Sequence, residues 1–437
     1  MWDWSLITGS VVSNIVIAGL VAAAFLVFDA RRVWWTGWGW FPIAFVSGVG
    51  TAALVKFVVD VLWQPFPDPL PLLVCAYIGG VVAAGVLAAG KILYYGPGMR
   101  TLSVIAVICV LAASAIQVNR HYGWYPSVAG LLGHLPVEPV GLDELDPADA
   151  TIAAPDGKSL AQAWKPPADL PAHGALAEMD VPPTASGFQA RSGWVWLPPA
   201  YLVTPRPVLP VLVLVAGQPG SPRDWIDSGQ IVQTMDAYAA RHEGLAPVVV
   251  MPDQLGGAWS NPMCLDTELG QSLTYLSIDV PAWVHENLSV ATDRDSWAFG
   301  GFSQGGTCSL ILAVNSPSTY GRFLDLSGEA EPSLGSRQET LDEAFDGDAA
   351  AFARVNPLDV MASTNFADTA GRFVIGEKDT GMAEGLRALY AAAQNAGMNV
   401  EYQTVPGGHD MNAWRTGMLE SLPWLGDELG LTAPAGL

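Results

Sequence analysis

One serine sits among four glycines in Gly300-Gly301-Phe302-Ser303-Gln304-Gly305-Gly306, after the apolar run Trp297-Ala298-Phe299. Gly301 to Gly305 fit G-x-S-x-G, the pattern of a nucleophile elbow. A serine there stands on a sharp turn between strand and helix with its hydroxyl presented. Side chains on the flanking positions would clash, which is why they are glycine. The helix that follows aims its N-terminal dipole at an oxyanion developing beside the hydroxyl. A serine needs a base, and His409 lies in Pro406-Gly407-Gly408-His409-Asp410. It is the histidine, of six, at a strand end downstream of the serine. The base needs an orienting acid. Asp379 in Gly376-Glu377-Lys378-Asp379 is the first choice, with Glu377 in reserve. The chain order Ser303, Asp379, His409 is the order α/β-hydrolases use. One oxyanion donor is expected to be the backbone N–H of Gln304. The other is expected in Ala216-Gly217-Gln218-Pro219-Gly220, where Pro219 has no N–H and Gln218 is the better candidate. This is acyl-transfer chemistry, and it asks for no metal or cofactor.

Such residues must be held at the carboxyl ends of strands. Residues 194–197, 208–215, 248–251, 297–301, 322–326, 372–375 and 400–404 read as short strands, several of them continuous apolar runs. Helical stretches at 279–287, 307–315 and 382–396 fall between them. Strands alternating with helices predict an α/β fold, a mostly parallel sheet covered on both faces. Chemistry collects at the carboxyl edge of such sheets.

The first part of the chain is of another kind. Apolar residues make up 51% of the 437, charged ones 14%. Four apolar stretches, 6–28, 41–63, 70–92 and 102–118, each approach the ~20 residues that cross a bilayer. The first has no basic leader, so it is expected to stay as a helix. Arg31 and Arg32 follow the first span, and Lys91 and Arg100 lie between the third and fourth. The positive-inside rule then puts these two connections in the cytoplasm and everything after Arg120 outside. Trp34, Trp35, Trp38 and Trp40 mark the inner interface. Trp2, Trp4, Trp63, Trp124 and Tyr125 mark the outer one. Lys56 and Asp60, four apart in the second span, share a helix face and can pair.

The expected organisation is a four-helix transmembrane anchor over 1–120, a Pro- and Ala-rich linker over 121–186, and an α/β-hydrolase domain over 187–437. The net charge of −22 excludes nucleic acid as a partner. Of four cysteines, Cys75 and Cys109 fall in apolar spans. Cys264 and Cys308 fall in the second half. An exported domain would allow them a disulfide; otherwise they are buried thiols.

Residues 186–426 resemble the Putative esterase family of α/β-hydrolases. Val195-Trp196-Leu197-Pro198-Pro199-Ala200-Tyr201, Met251-Pro252-Asp253, Gly301 to Gly305 and Gly407-Gly408-His409 carry the resemblance. That family includes S-formylglutathione hydrolase, feruloyl esterases and the actinobacterial mycolyltransferases of the antigen 85 type. The anchored arrangement resembles membrane esterases of mycobacteria and their relatives. The resemblance implies ester chemistry through Ser303. The reading is a serine esterase held at the outer face of the cytoplasmic membrane, acting on a lipid or envelope glycolipid ester. Acyl transfer to a sugar or lipid alcohol uses the same residues and is the alternative. A non-catalytic envelope-binding module is the third reading. Trp225, Trp259, Trp283 and Trp414 near strand ends are candidates to line an acyl groove.

Overall fold

Short apolar runs such as 211–215 and 248–251, followed closely by Gly or Pro, build the centre of the sheet that carries the site. The computed structural model describes residues 4–28, 35, 39–63, 69–144, 150–155 and 158–432. The chain divides into two compact units, residues 1–134 and 135–437.

In the first unit, four helices are long and apolar enough to cross a membrane. They are α1 (Ser10–Val27), α2 (Trp40–Phe57), α3 (Leu72–Tyr94) and α4 (Pro97–Tyr122), with α2 prolonged by a π-helical stretch, Val58–Trp63. Small residues let the backbones close up: a Cβ on Gly79 would stand 2.3 Å from the Gly48 carbonyl oxygen, and one on Gly19 as close to the Ala113 Cβ. Large apolar side chains such as Leu20, Val46 and Leu72 are exposed on these helices. Lys56 and Asp60 pair at 2.5 Å. The same two side chains hold the backbone oxygen and N–H of Leu70 at the start of the next segment, at 2.9 and 2.8 Å. The pair is thus a local brace. Arg31, Arg32, Trp2, Trp34 and Trp38, on which the orientation reading leans, lie outside the described residues, and Lys91, read as lying in the connection between the third and fourth spans, is instead buried in the last turn of α3.

The second unit is built on an eight-stranded sheet, with two short two-stranded pairings beside it among the described residues. Its strands are β1 (Ala175–Met179), β2 (Gly193–Leu197), β3 (Val211–Val215), β4 (Val248–Met251), β5 (Trp297–Phe302), β6 (Arg322–Leu326), β7 (Ala370–Gly376) and β8 (Asn399–Val405). The spatial order is β8-β7-β6-β5-β3-β4-β2-β1. From β4 to β8 every pairing is parallel; β2 joins β4, and β1 joins β2, antiparallel. Each residue of β3 and β4 is buried, as expected of strands covered on both faces. Helices α5 (Ile231–Arg241), α6 (Val280–Asn287), α7 (Gln304–Asn315), α8 (Ala383–Asn395) and α9 (Met411–Glu428) cover it.

Three elements differ from the sequence reading. Strand β1 comes from the stretch read as an extended connector. Ala175-Leu176-Ala177-Glu178-Met179 carries no β-branched residue, so its strand character is set by pairing with β2 and not by propensity. That stretch also sends Leu160 and Trp164 into the core of the second unit, with the Trp164 indole N–H donating to the Glu243 carbonyl at 2.9 Å. Helices α5 and α9 were not anticipated; α9 contains Pro423 and Gly417, both helix-weakening residues.

The connections create a reversal. From β3 the chain moves outward to β4, then returns past β3 to β5. The carboxyl ends of β3 and β5 therefore lie side by side where the winding direction changes, the place at which open α/β sheets form a crevice.

Candidate active site

Ser303 follows β5 directly and starts α7. Its backbone has φ 55° and ψ −123°, a conformation that L-residues rarely adopt. The flanking glycines show why it is held there. A Cβ on Gly301 would lie 2.5 Å from the backbone of Gly305. One on Gly305 would lie 2.5 Å from the Val215 oxygen and 2.6 Å from the Ala216 oxygen. The elbow is thus wedged against the end of β3, and only glycine fits on either side of the serine.

Three side chains distant in sequence meet there. The Ser303 hydroxyl lies 2.9 Å from His409 Nε2, and His409 Nδ1 lies 2.9 Å from the Asp379 carboxylate. Asp379 is buried, and the Met382 N–H donates to its second oxygen at 3.3 Å. Glu377, the reserve acid, is exposed. The His409 loop is tied down on both sides. Its neighbour Asp410 accepts from the N–H groups of Gly408 at 2.7 Å and of Asn412 and Ala413 at 3.0 Å, capping α9. The Lys378 N–H donates to the Gly407 oxygen at 2.8 Å, which fastens this loop to the one bearing Asp379. Trp414 presents its ring at 89° to the imidazole, centroids 4.9 Å apart, and stacks on Phe302 at 4.6 Å.

The loop after β3 packs on the elbow. A Cβ on Gly217 would sit 3.2 Å from the Ser303 Cβ. Gln218 is next in that loop and its side chain donates to the Trp259 carbonyl at 3.2 Å. The Gln304 amide opens α7. Its side chain is clamped: the buried Gln254 amide donates to Gln304 Oε1 at 3.1 Å and to the Ala216 oxygen at 2.6 Å. Of the four tryptophans, Trp225 and Trp414 are buried packing residues, Trp283 is half-buried on α6, and Trp259 is 72% exposed.

Several residues here escaped the sequence reading. Arg191 grips the buried Asp253 with two nitrogens, at 2.8 and 2.7 Å, and donates to the Gly220 oxygen at 2.9 Å. It thereby braces the loop after β3 against the loop after β4. Asp253, two residues past β4, appears in the sequence only as part of Met251-Pro252-Asp253 with no role attached; Arg191 carries no signal of its own. Asp325 in β6 is fully buried behind the elbow, and burial pushes its carboxyl up to about 7. Glu329, just past β6, is also raised to about 7 by burial, with the His409 charge pulling the other way. Cys264 and Cys308 are disulfide-bonded, Cα atoms 5.5 Å apart. Among the described residues no group of three or more His, Cys, Asp or Glu side chains is arranged to hold a metal ion.

Such an arrangement can pass a proton from a hydroxyl to an imidazole oriented by a carboxylate, beside a helix N-terminus. The chain is similar to known proteins in sequence and in fold. A protein of Corynebacterium glutamicum, described as uncharacterized, is 34% identical over 398 residues, 89% of each chain. A solved ferulic acid esterase superposes with a TM-score of 0.50 at 16% identity, covering 59% of this chain and 99% of its own. A solved S-formylglutathione hydrolase from Agrobacterium tumefaciens gives 0.49 at 18% identity, with 59% and 97% covered. Residues 189–425 match the Esterase family, described as "Putative esterase". With more than half of its residues inside that match, the chain belongs to the Esterase family of α/β-hydrolases.

Proposed function

We propose that this protein is a membrane-anchored serine esterase whose catalytic unit faces the extracytoplasmic side. The observation that carries the reading is the hydrogen-bonded row Ser303–His409–Asp379 at the carboxyl edge of the sheet. Ser303 Oγ attacks the ester carbonyl while His409 Nε2 takes its proton. Asp379 holds the ring and stabilises the imidazolium. The Gln304 and Gln218 N–H groups receive the oxyanion. Collapse of the tetrahedral intermediate returns the proton to the leaving alcohol, and a second nucleophile, activated by His409 in turn, releases the acyl group.

Four helices able to cross a membrane support anchoring. The Cys264–Cys308 disulfide supports the oxidising side for the second unit. A membrane tether favours a lipid or envelope-glycolipid ester as substrate. When water is the second nucleophile the outcome is hydrolysis. When it is a sugar or lipid alcohol the outcome is transfer. The test is to incubate the full-length protein in detergent with an actinobacterial lipid extract. Free fatty acid, absent with Ser303→Ala, is the expected product. A new ester with no free acid reassigns the protein to transfer, and no change in any acyl lipid removes the lipid part of the reading.

A further inference from the structure

The segment 254–264 touches both halves of the proposed oxyanion hole. On one side it meets the loop after β3. Gly220 donates its N–H to the Ala258 oxygen at 3.1 Å, Gln218 donates to the Trp259 oxygen, and Gln254 holds the Ala216 oxygen. On the other side it meets the start of α7. The Gln304 side-chain amide faces Asn261 Oδ1 at 3.4 Å and Cys264 Sγ at 3.8 Å. One covalent bond fixes this bridge to the nucleophile helix, between Cys264 and Cys308, five residues past Ser303.

The backbone at the bridge's end does not sit there by local preference. Met263 and Cys264 have φ of 59° and 54°, consecutive left-handed residues with side chains, which L-residues disfavour. Both are buried. The N–H of Met263 donates to Asn261 Oδ1 at 3.1 Å, so the strained turn and the residue facing Gln304 are coupled. Opening the cross-link removes the covalent hold on this strained turn, leaving Asn261 tied to the rest of the fold by its donation to the Ser333 carbonyl at 3.0 Å.

We propose that the Cys264–Cys308 disulfide is a positioning element of the reaction, which keeps the Gln304 and Gln218 amides in register across the segment 254–264, so that its reduction lowers turnover without unfolding the sheet. A dithiol such as dithiothreitol supplies the two electrons and two protons that convert the bond to two thiols, itself closing to a cyclic disulfide. The inference rests on the serine-esterase reading, and the experiment separates the two. Full-length wild type and the Cys264→Ala/Cys308→Ala double variant are assayed in detergent with p-nitrophenyl butyrate, oxidised and after dithiothreitol with thiols counted. Near-UV circular dichroism is recorded for each. The expected result is a 10- to 100-fold fall in kcat on reduction, with KM within threefold and the spectrum kept. Reoxidation restores turnover, and the double variant is slow and indifferent to dithiol. Turnover unchanged in the reduced wild type or in the double variant overturns the proposal. So does loss of the near-UV spectrum together with activity, which makes the bond a requirement of folding alone. An oxidised wild type that hydrolyses no ester and labels with no fluorophosphonate fails the esterase reading itself.

Discussion

Gly305→Ala tests how tightly the elbow is built. The added methyl would stand 2.5 Å from the Val215 oxygen and 2.6 Å from the Ala216 oxygen, where ordinary contact begins at 3.4 Å. Both obstacles are backbone, at the end of a fully buried strand, so no side chain can swing away. The start of α7 must therefore back off from β3 by about 0.9 Å. Ser303 and the Gln304 N–H move with it, while His409 stays on its own loop, held by Asp410 and Lys378. A shift near 1 Å between reacting groups lowers turnover by about 100-fold. Overpacking of this kind costs ~1–3 kcal/mol of stability, which lowers Tm by several degrees in a domain of this size. The assay is hydrolysis of p-nitrophenyl butyrate by the full-length protein in detergent, with Tm by calorimetry. Gly80→Ala, where the added methyl meets nothing within 4 Å, should leave kcat within twofold. Gly305→Ala turning over like wild type would refute the close-packed elbow.

Two buried carboxyls give pH predictions. Asp325 is neutral in the folded protein up to about 7 against 3.8 for the free side chain. A raised folded value means its stabilising contribution is complete below pH 3.8 and is lost as pH rises through 7; the whole span is worth up to ~4 kcal/mol. Asp325→Asn should flatten the fall in Tm between about pH 4 and pH 7, and an unaltered slope counts against a neutral buried acid. Glu329 also rises to about 7, through burial, beside the His409 charge. The pH profile of kcat/KM should shift in Glu329→Gln, which removes a titrating charge beside His409; an identical profile in the variant detaches Glu329 from the site.

What the sequence disclosed followed from how locally each feature is encoded. Strands β3, β4 and β5 are continuous apolar runs, because a parallel strand buried on both faces has no polar side to interrupt it. Ser303, Asp379 and His409 each stand within a few residues of a strand end, so a correct strand reading already gathers them at one edge. The glycines of the elbow are legible for a similar reason, since the close approach to Val215 and Ala216 leaves no other residue type. Strand β1 stayed hidden because its alanines and leucine take extended form only against β2. The bracing set was hidden more deeply. Arg191 meets Asp253 across 62 positions and Gln254 meets Gln304 across 50. Nothing in the neighbourhood of an arginine or a glutamine announces a partner that only the completed sheet brings near. The cysteine pair lay between these extremes: the residue types suggested a bond, and only the fold set their Cα atoms 5.5 Å apart.

The central claim is that Ser303 is a nucleophile activated through His409. Labelling of the folded, full-length protein with a fluorophosphonate, followed by mapping of the adduct, measures that reactivity directly. A single adduct on Ser303 is expected, absent in Ser303→Ala and formed at least ~10³-fold more slowly in His409→Ala. A folded protein that acquires no adduct, or one that labels equally fast without His409, would contradict the account.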